Sequence, residues 1–134
     1  MDIPINLHRR LAALMPMLAL VATAAASTPA ELLAGYGRGA APDAARGQAF
    51  FNQRPAGRDW SCASCHGSVP LAPGRHVVTA RDIAPLAPAA NPQRFADAAK
   101  TEKWFRRNCN DVLGRECTAG EKADVLAWLL TLKR

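Results

Sequence analysis

The sequence is short of aromatic residues, with 6% Phe, Trp and Tyr in 134 residues. A core built mainly from stacked rings is therefore excluded, and something other than side chains must help fill the interior. Methionine is confined to Met1, Met15 and Met17, so the chain beyond residue 17 has none. The longest apolar run, Leu11–Ala26, has 16 residues, short of the roughly 18–20 needed for a membrane span in the mature protein. Blocks of about five or six like charges are absent, which removes the usual footprint of nucleic-acid binding. Strand-period alternation and internal repeats are absent as well. What is there is ordinary for one globular domain: 49% apolar and 21% charged residues. Large multidomain enzymes, coiled coils, collagen and disordered tails are excluded.

His8-Arg9-Arg10 forms a basic start before Leu11–Ala26, which closes on Ala24-Ala25-Ala26. That order predicts a cleaved secretory signal over residues 1–26 and a mature domain over 27–134. The mature domain would carry 15 Lys and Arg against 10 Asp and Glu. Its moderate positive charge suits an acidic protein partner better than nucleic acid. Export places it in an oxidising compartment, expected to be a bacterial periplasm.

Helix starts are marked along the mature chain. Thr28-Pro29-Ala30-Glu31 and Thr118-Ala119-Gly120-Glu121 are capping boxes ahead of apolar residues. Pro42 opens a segment with Ala44, Gly47 and Phe50-Phe51 on one side, where Gly47 would let another helix approach closely. Asn91-Pro92 predicts a further helix carrying Phe95 and Ala98. Thr101 is expected to cap another, from Glu102 to about Asn108, with Trp104 and Phe105. In the last helix Val125, Leu126, Leu129 and Leu130 recur at helical spacing, and Lys133 and Arg134 suit its C-terminal dipole. The fold class is all-α, with about five short helices and much Pro- and Gly-rich loop.

Chemistry enters at Cys62-Ala63-Ser64-Cys65-His66. In an exported chain CxxCH implies covalent attachment of one haem c. Cysteines three apart lie one helical turn from each other, so both reach haem vinyl groups. The adjacent histidine then presents its imidazole to the iron. A tethered haem would also supply the interior that the scarce aromatics cannot. The alternatives are weaker. Zinc would need two further ligands from Cys109, Cys117 and His76, and a thioredoxin-like pair would need a preceding strand. In an oxidising compartment Cys109 and Cys117 pair by default, closing a nine-residue loop that contributes about 2–3 kcal/mol.

The ligand opposite His66 cannot be methionine, the usual partner in electron-transfer cytochromes c. The residues leave several candidates. His76 lies in a Pro/Gly-flanked loop soon after His66, a lysine or an open site is an alternative, and Asn108 lies 42 residues after His66. Asn108 would be pinned by the neighbouring cysteine pair, with Asn110 as its competitor.

The segments Lys103-Trp104-Phe105-Arg106-Arg107-Asn108-Cys109-Asn110, Gly114-Arg115-Glu116-Cys117-Thr118 and Glu121-Lys122-Ala123-Asp124 resemble the sphaeroides haem protein (SHP) family, as do Ile83–Pro88 and Cys62-x-x-Cys65-His66-Gly67. The resemblance spans nearly the whole mature chain and is weakest between His66 and Ile83. It implies a small class I-like cytochrome c fold wrapped around one haem. It also implies a metal pair of His66 and Asn108, thioethers at Cys62 and Cys65, and a disulfide between Cys109 and Cys117 beside the asparagine. It further implies ligand switching on reduction, binding of small diatomics, and electrons from a dihaem cytochrome c and a membrane cytochrome b.

Chemistry points the same way. A neutral amide is a poor ligand for ferric iron and a poorer one for ferrous iron, so reduction should release Asn108 and open a site for oxygen or nitric oxide. Trp104 is the candidate wall of that site and cofactor contact. Arg81, Arg106 and Arg107 are candidate propionate partners. Two other classes stay open: a plain electron carrier, and a gas sensor or carrier without turnover. His76 is the only spare imidazole, so no acid–base set for multi-proton chemistry is evident.

Overall fold

The computed structural model describes residues 26–134. The expected signal segment, apart from Ala26, lies outside the described residues. Five helices follow in order: α1 Pro29–Tyr36, α2 Ala44–Asn52, α3 Cys62–His66, α4 Ala98–Leu113 and α5 Ala119–Thr131. A two-residue hairpin, β1 Gly74–Arg75 with β2 Asp82–Ile83, pairs Gly74 with Ile83 and Arg75 with Asp82. The protein is all-α apart from this clip, and among the described residues no helix is long and apolar enough to cross a membrane.

Both capping boxes form. The Thr28 hydroxyl accepts from the Glu31 N–H at 3.2 Å while Glu31 Oε2 accepts from the Thr28 N–H at 2.7 Å. Thr118 and Glu121 repeat the arrangement at the start of α5. Each box satisfies backbone donors that a helix N-terminus leaves without partners.

The core lies where α2 crosses α5. Phe51, Val125, Trp128 and Leu129 form the buried cluster, with Cys62, Ala63, Leu86 and Phe95 packed against it. Leu126 and Leu129 are fully buried, and burial of side chains this size contributes about 1.5–3 kcal/mol each. The crossing is set by Gly47. A Cβ built there would lie 1.9 Å from the Asp124 carbonyl oxygen and 2.8 Å from the Val125 nitrogen, so only glycine fits. Beside it, the Asp124 carboxylate joins the two helices. It accepts from the Asp43 N–H at 2.7 Å and from Arg46 Nε and Nη2 at 2.7 and 2.8 Å. The Asp43 side chain meanwhile caps α2 through the Arg46 N–H at 2.9 Å.

Several expectations are corrected. Asn91-Pro92 begins turns, not a helix. Arg94 Nε and Asn91 Nδ2 both donate to the Pro85 carbonyl, at 2.9 and 3.3 Å, and Phe95 takes a positive φ of 62° that no α-helix accommodates. Ala98 instead opens α4, capped by Asp97, whose carboxylate accepts from the Lys100 N–H at 2.8 Å. Thr101 is therefore inside the helix, and its hydroxyl donates to the Asp97 carbonyl at 2.7 Å. Asn108 is mid-helix, since α4 runs on to Leu113 and ends at Gly114 in the left-handed conformation. Helix α2 opens at Ala44, capped by Asp43, two residues later than the expected start at Pro42. Lys133 and Arg134 lie beyond the end of α5, and Arg134 donates to the Ala90 carbonyl at 3.0 Å.

Two outcomes test this packing. Gly47→Ala should cost about 1–3 kcal/mol through forced separation of α2 and α5, measured as a fall in denaturation midpoint. Asp124 is held below its ordinary 3.8, chiefly by the Arg46 hydrogen bonds. The unfolded chain then binds the proton first, so the carboxylate favours folding above pH 3.8 and this contribution fades as pH falls through the folded value. Thermal melts between pH 2 and 5 should lose that part of their acid dependence in Asp124→Asn, relative to the parent protein.

Candidate functional site

The CxxCH segment is helical because its residues form one tight turn closed at both ends. The Ser64 hydroxyl accepts from the Ser61 N–H at 3.0 Å, and the Gly67 N–H donates to the Ala63 carbonyl at 2.8 Å. Gly67 leaves the turn with φ 80°, a conformation open to glycine. Cys62 and Cys65 are free and half-buried, and one turn apart.

His66 packs its ring against Phe51, centroids 6.0 Å apart, and Phe51 in turn packs on Trp128 at 5.1 Å. Burial, then the nearby Arg94 and His76, push the imidazole down to about 4. It is thus neutral at physiological pH, the form that ligates metal. Burial likewise pushes the Cys62 thiol up to about 11.

The β1–β2 hairpin closes over the back of this helix. Its approach is so near that a Cβ on Gly74 would lie 2.2 Å from the Cys65 carbonyl oxygen. The Val77 N–H reaches Cys65 Sγ at 3.4 Å. His76 is built into the hairpin: its N–H donates to the Arg81 carbonyl at 2.9 Å, and its Nδ1 accepts from the N–H groups of Val78 and Thr79, each at 3.2 Å. The imidazole proton therefore sits on Nε2. Ligation through Nε2 would move that proton to Nδ1, against two N–H donors, so the hairpin disfavours His76 as an iron ligand.

The other expected ligand comes from α4. Asn108 is exposed, and its amide makes no hydrogen bond among the described residues. The adjacent Cys109 is buried and bonded to Cys117, with Cα atoms 5.6 Å apart. Asn110 spends its amide on its own helix, donating to the Arg106 carbonyl at 2.8 Å. One turn before Asn108, Trp104 is 42% exposed with the Arg107 guanidinium 5.6 Å from its ring.

Side chains rather than broad helix packing hold α4 in place. Glu102 accepts from Lys122 Nζ at 2.6 Å and from the Tyr36 hydroxyl, joining α1, α4 and α5. Arg58 donates to the carbonyls of Val112, Asp111 and Asn110 at 2.8, 2.9 and 3.3 Å, clamping the helix end. Of the expected propionate partners, Arg106 pairs with Glu116 at 3.5 Å, Arg107 lies 3.9 Å from Asp111, and Arg81 makes no ion pair among the described residues.

Arg58, Arg94 and Gly74 were not singled out from the sequence. The Pro-Gly step at Pro73-Gly74 was the available signal for the last; the two arginines act on residues too distant in sequence to be paired by eye.

The residues present fit a haem c. Two thiols stand one turn apart beside a neutral imidazole, and the large apolar side chains left uncovered include Val69 and Val77 beside that helix and Trp104 beside Asn108. A flat apolar group tethered at Cys62 and Cys65 matches that surface and that donor set.

Comparison with known proteins agrees. A family described as a domain of unknown function (DUF1924) matches residues 38–129. The cytochrome c-type protein SHP of Cereibacter sphaeroides is 50% identical over 121 residues, covering 87% of this chain and 93% of that one. The solved structure of oxidised SHP, an oxygen-binding cytochrome c, aligns with a TM-score of 0.73 at 48% identity, over 80% of this chain and 99% of that one. The solution structure of cytochrome c'' from Methylophilus methylotrophus, described in terms of haem-ligand detachment, gives 0.70 at 38% identity over 79% of this chain and 94% of that one. The chain belongs to the DUF1924 family and to the small monohaem c-type cytochromes that include SHP and cytochrome c'', and it carries one covalent haem c.

Proposed function

We propose that this is a periplasmic redox protein whose haem iron would be held by His66 and, displaceably, by the Asn108 amide, which would give way on reduction to a small diatomic such as oxygen or nitric oxide. The bound haem supplies an iron that accepts one electron and has one coordination position open to exchange. The chain does the rest. Cys62 and Cys65 hold the group through thioethers, and His66, oriented by Phe51, provides the permanent ligand. Asn108 offers a neutral oxygen donor, a weak ligand that favours the ferric state over the ferrous. The Cys109–Cys117 bond fixes the backbone beside it, so that even a weak donor returns to the same place. Trp104 walls the exchangeable side.

The observation that carries this reading is the contrast between neighbouring asparagines. Asn110 is committed to the Arg106 carbonyl, whereas Asn108 is exposed with its amide unspent. The hydrogen bonds to His76 Nδ1 support it, because they disfavour the remaining histidine as a ligand. The relatives support it too, one described as oxygen-binding and one in terms of ligand detachment. Residues 1–26 as a cleaved signal and 27–134 as the working domain complete the proposal. A dihaem cytochrome c, itself fed by a membrane cytochrome b, is the proposed electron source.

Optical and EPR spectra of the holoprotein, oxidised and reduced, with and without carbon monoxide, test the reading. A high-spin ferrous form that shifts with carbon monoxide is expected. A low-spin ferrous form indifferent to carbon monoxide would make the protein a plain electron carrier. Asn108→Met should suppress carbon monoxide binding by about tenfold or more, since thioether sulfur is a far better ligand for ferrous iron. Asn110→Ala should leave binding unchanged, and equal effects from the two variants would overturn the assignment.

A further inference from the structure

We propose that the outward face of α4, formed by Lys100, Lys103 and Arg107, is the docking surface for an acidic electron-donating protein. The inference rests on the redox reading above and adds where the electron donor binds.

Spacing puts the three cations together. Positions i, i+3 and i+7 share one face of a helix, here over about 10 Å. All three are exposed, and Lys100 and Lys103 have no ion-pair partner among the described residues. The acidic residue nearest them in sequence, Glu102, turns inward to Lys122 and Tyr36. Arg107 alone has a carboxylate near, Asp111 at 3.9 Å, with both side chains more than half exposed. Asp97, three residues before Lys100, spends its carboxylate on the Lys100 N–H, so the face presents net positive charge.

Helix chemistry argues that this charge is not there for stability. In α1 and α5 the third helical position carries Glu31 and Glu121, which complete capping boxes and suit the positive end of the dipole. In α4 the same position carries Lys100, and its first turn has no acidic residue. Asp97 caps that end, as Asp43 caps α2 ahead of Arg46, but whereas Arg46 pairs with Asp124 the Lys100 ammonium has no ion-pair partner among the described residues. An external acidic partner supplies what the fold withholds.

Trp104, proposed above to wall the exchangeable side, borders the face, with the Arg107 guanidinium 5.6 Å from its ring, and lies one turn from Asn108. Arginine is among the residues enriched at the anchoring positions of protein interfaces. Three cations on one short face fit the small contact area of transient electron-transfer complexes. They fall below the cluster of about four to eight basic residues that holds a protein to anionic lipid. The surface also adjoins the residue proposed to ligate the iron, so a donor seated on it approaches the redox centre.

The test is stopped-flow reduction of the holoprotein by two probes: the hydroquinone of an acidic flavodoxin and an uncharged quinol. The parent protein, Lys100→Glu/Lys103→Glu, and a charge-matched control, Arg54→Glu/Lys133→Glu, are compared across ionic strength. The first double variant should slow reduction by flavodoxin about tenfold or more at low salt, with the rates converging at high salt. The control should slow it much less, and quinol reduction should be unchanged in both. Equal slowing by the two variants would reduce the effect to net charge and overturn the surface. So would binding of the parent to phosphatidylglycerol vesicles that the first variant abolishes, which would assign the face to lipid. Failure of the quinol to reduce the parent protein would count against the redox reading itself, separately from the docking surface.

Discussion

The contact on which the rest depends is backbone against backbone. Gly47 of α2 lies on the Asp124 carbonyl of α5 at a distance that excludes any side chain. Phe51 follows one turn later on the same helix face, and its ring meets Trp128 on one side and His66 on the other. The crossing of two helices thus fixes the orientation of an imidazole on a third. Without that approach Phe51 would stand away from α5, and the CxxCH turn would lose the wall against which its histidine rests. The Asp43–Arg46–Asp124 network adds direction to the same contact.

The molecule divides its work between two kinds of attachment. The helices α2, α3 and α5 share an apolar core, which resists deformation because any gap forfeits close contacts. Helix α4 is joined to them chiefly by discrete polar ties, an aromatic edge contact between Tyr36 and Phe105, and one disulfide. The residue expected to stay put, His66, belongs to the first group. The residue expected to exchange, Asn108, belongs to the second.

Much of this was legible in the sequence where the signals are local. The capping boxes at Thr28 and Thr118 and the helical turn of CxxCH depend on residues within one turn of each other. Gly47 was legible because a glycine amid helix formers calls for a reason, and close approach is the commonest. The extent of α4 was misjudged because Asp97 and Thr101 are both competent caps, and only the structure shows which carboxylate or hydroxyl turns back. The segment after Asn91 has a helix-start signature, yet Arg94 and Asn91 are drawn to the Pro85 carbonyl, a tertiary demand that local propensity does not contain. The hairpin is too short to show alternation. The commitment of His76 Nδ1 is likewise invisible without knowing how Val78 and Thr79 turn. His66 follows from the CxxCH spacing, whereas the expectation for Asn108 rests on the family resemblance, since spacing alone leaves Asn110, His76, a lysine or an open site. What separates Asn108 from Asn110, the use of one amide by its own helix, had to be seen.

The clamp on α4 has a consequence in time. Arg58 and the disulfide hold the C-terminal half of the helix, and Glu102 holds the N-terminal half, with Asn108 between them. Shifting that stretch of backbone would require breaking several of these ties together, a collective event on the microsecond-to-millisecond scale. Turning the Asn108 side chain breaks none of them, and rotamer changes of exposed residues occur within about picoseconds to nanoseconds. A side chain free of those ties can turn on a clock far faster than the helix that carries it, so movement of the backbone need not limit any exchange proposed for the Asn108 amide.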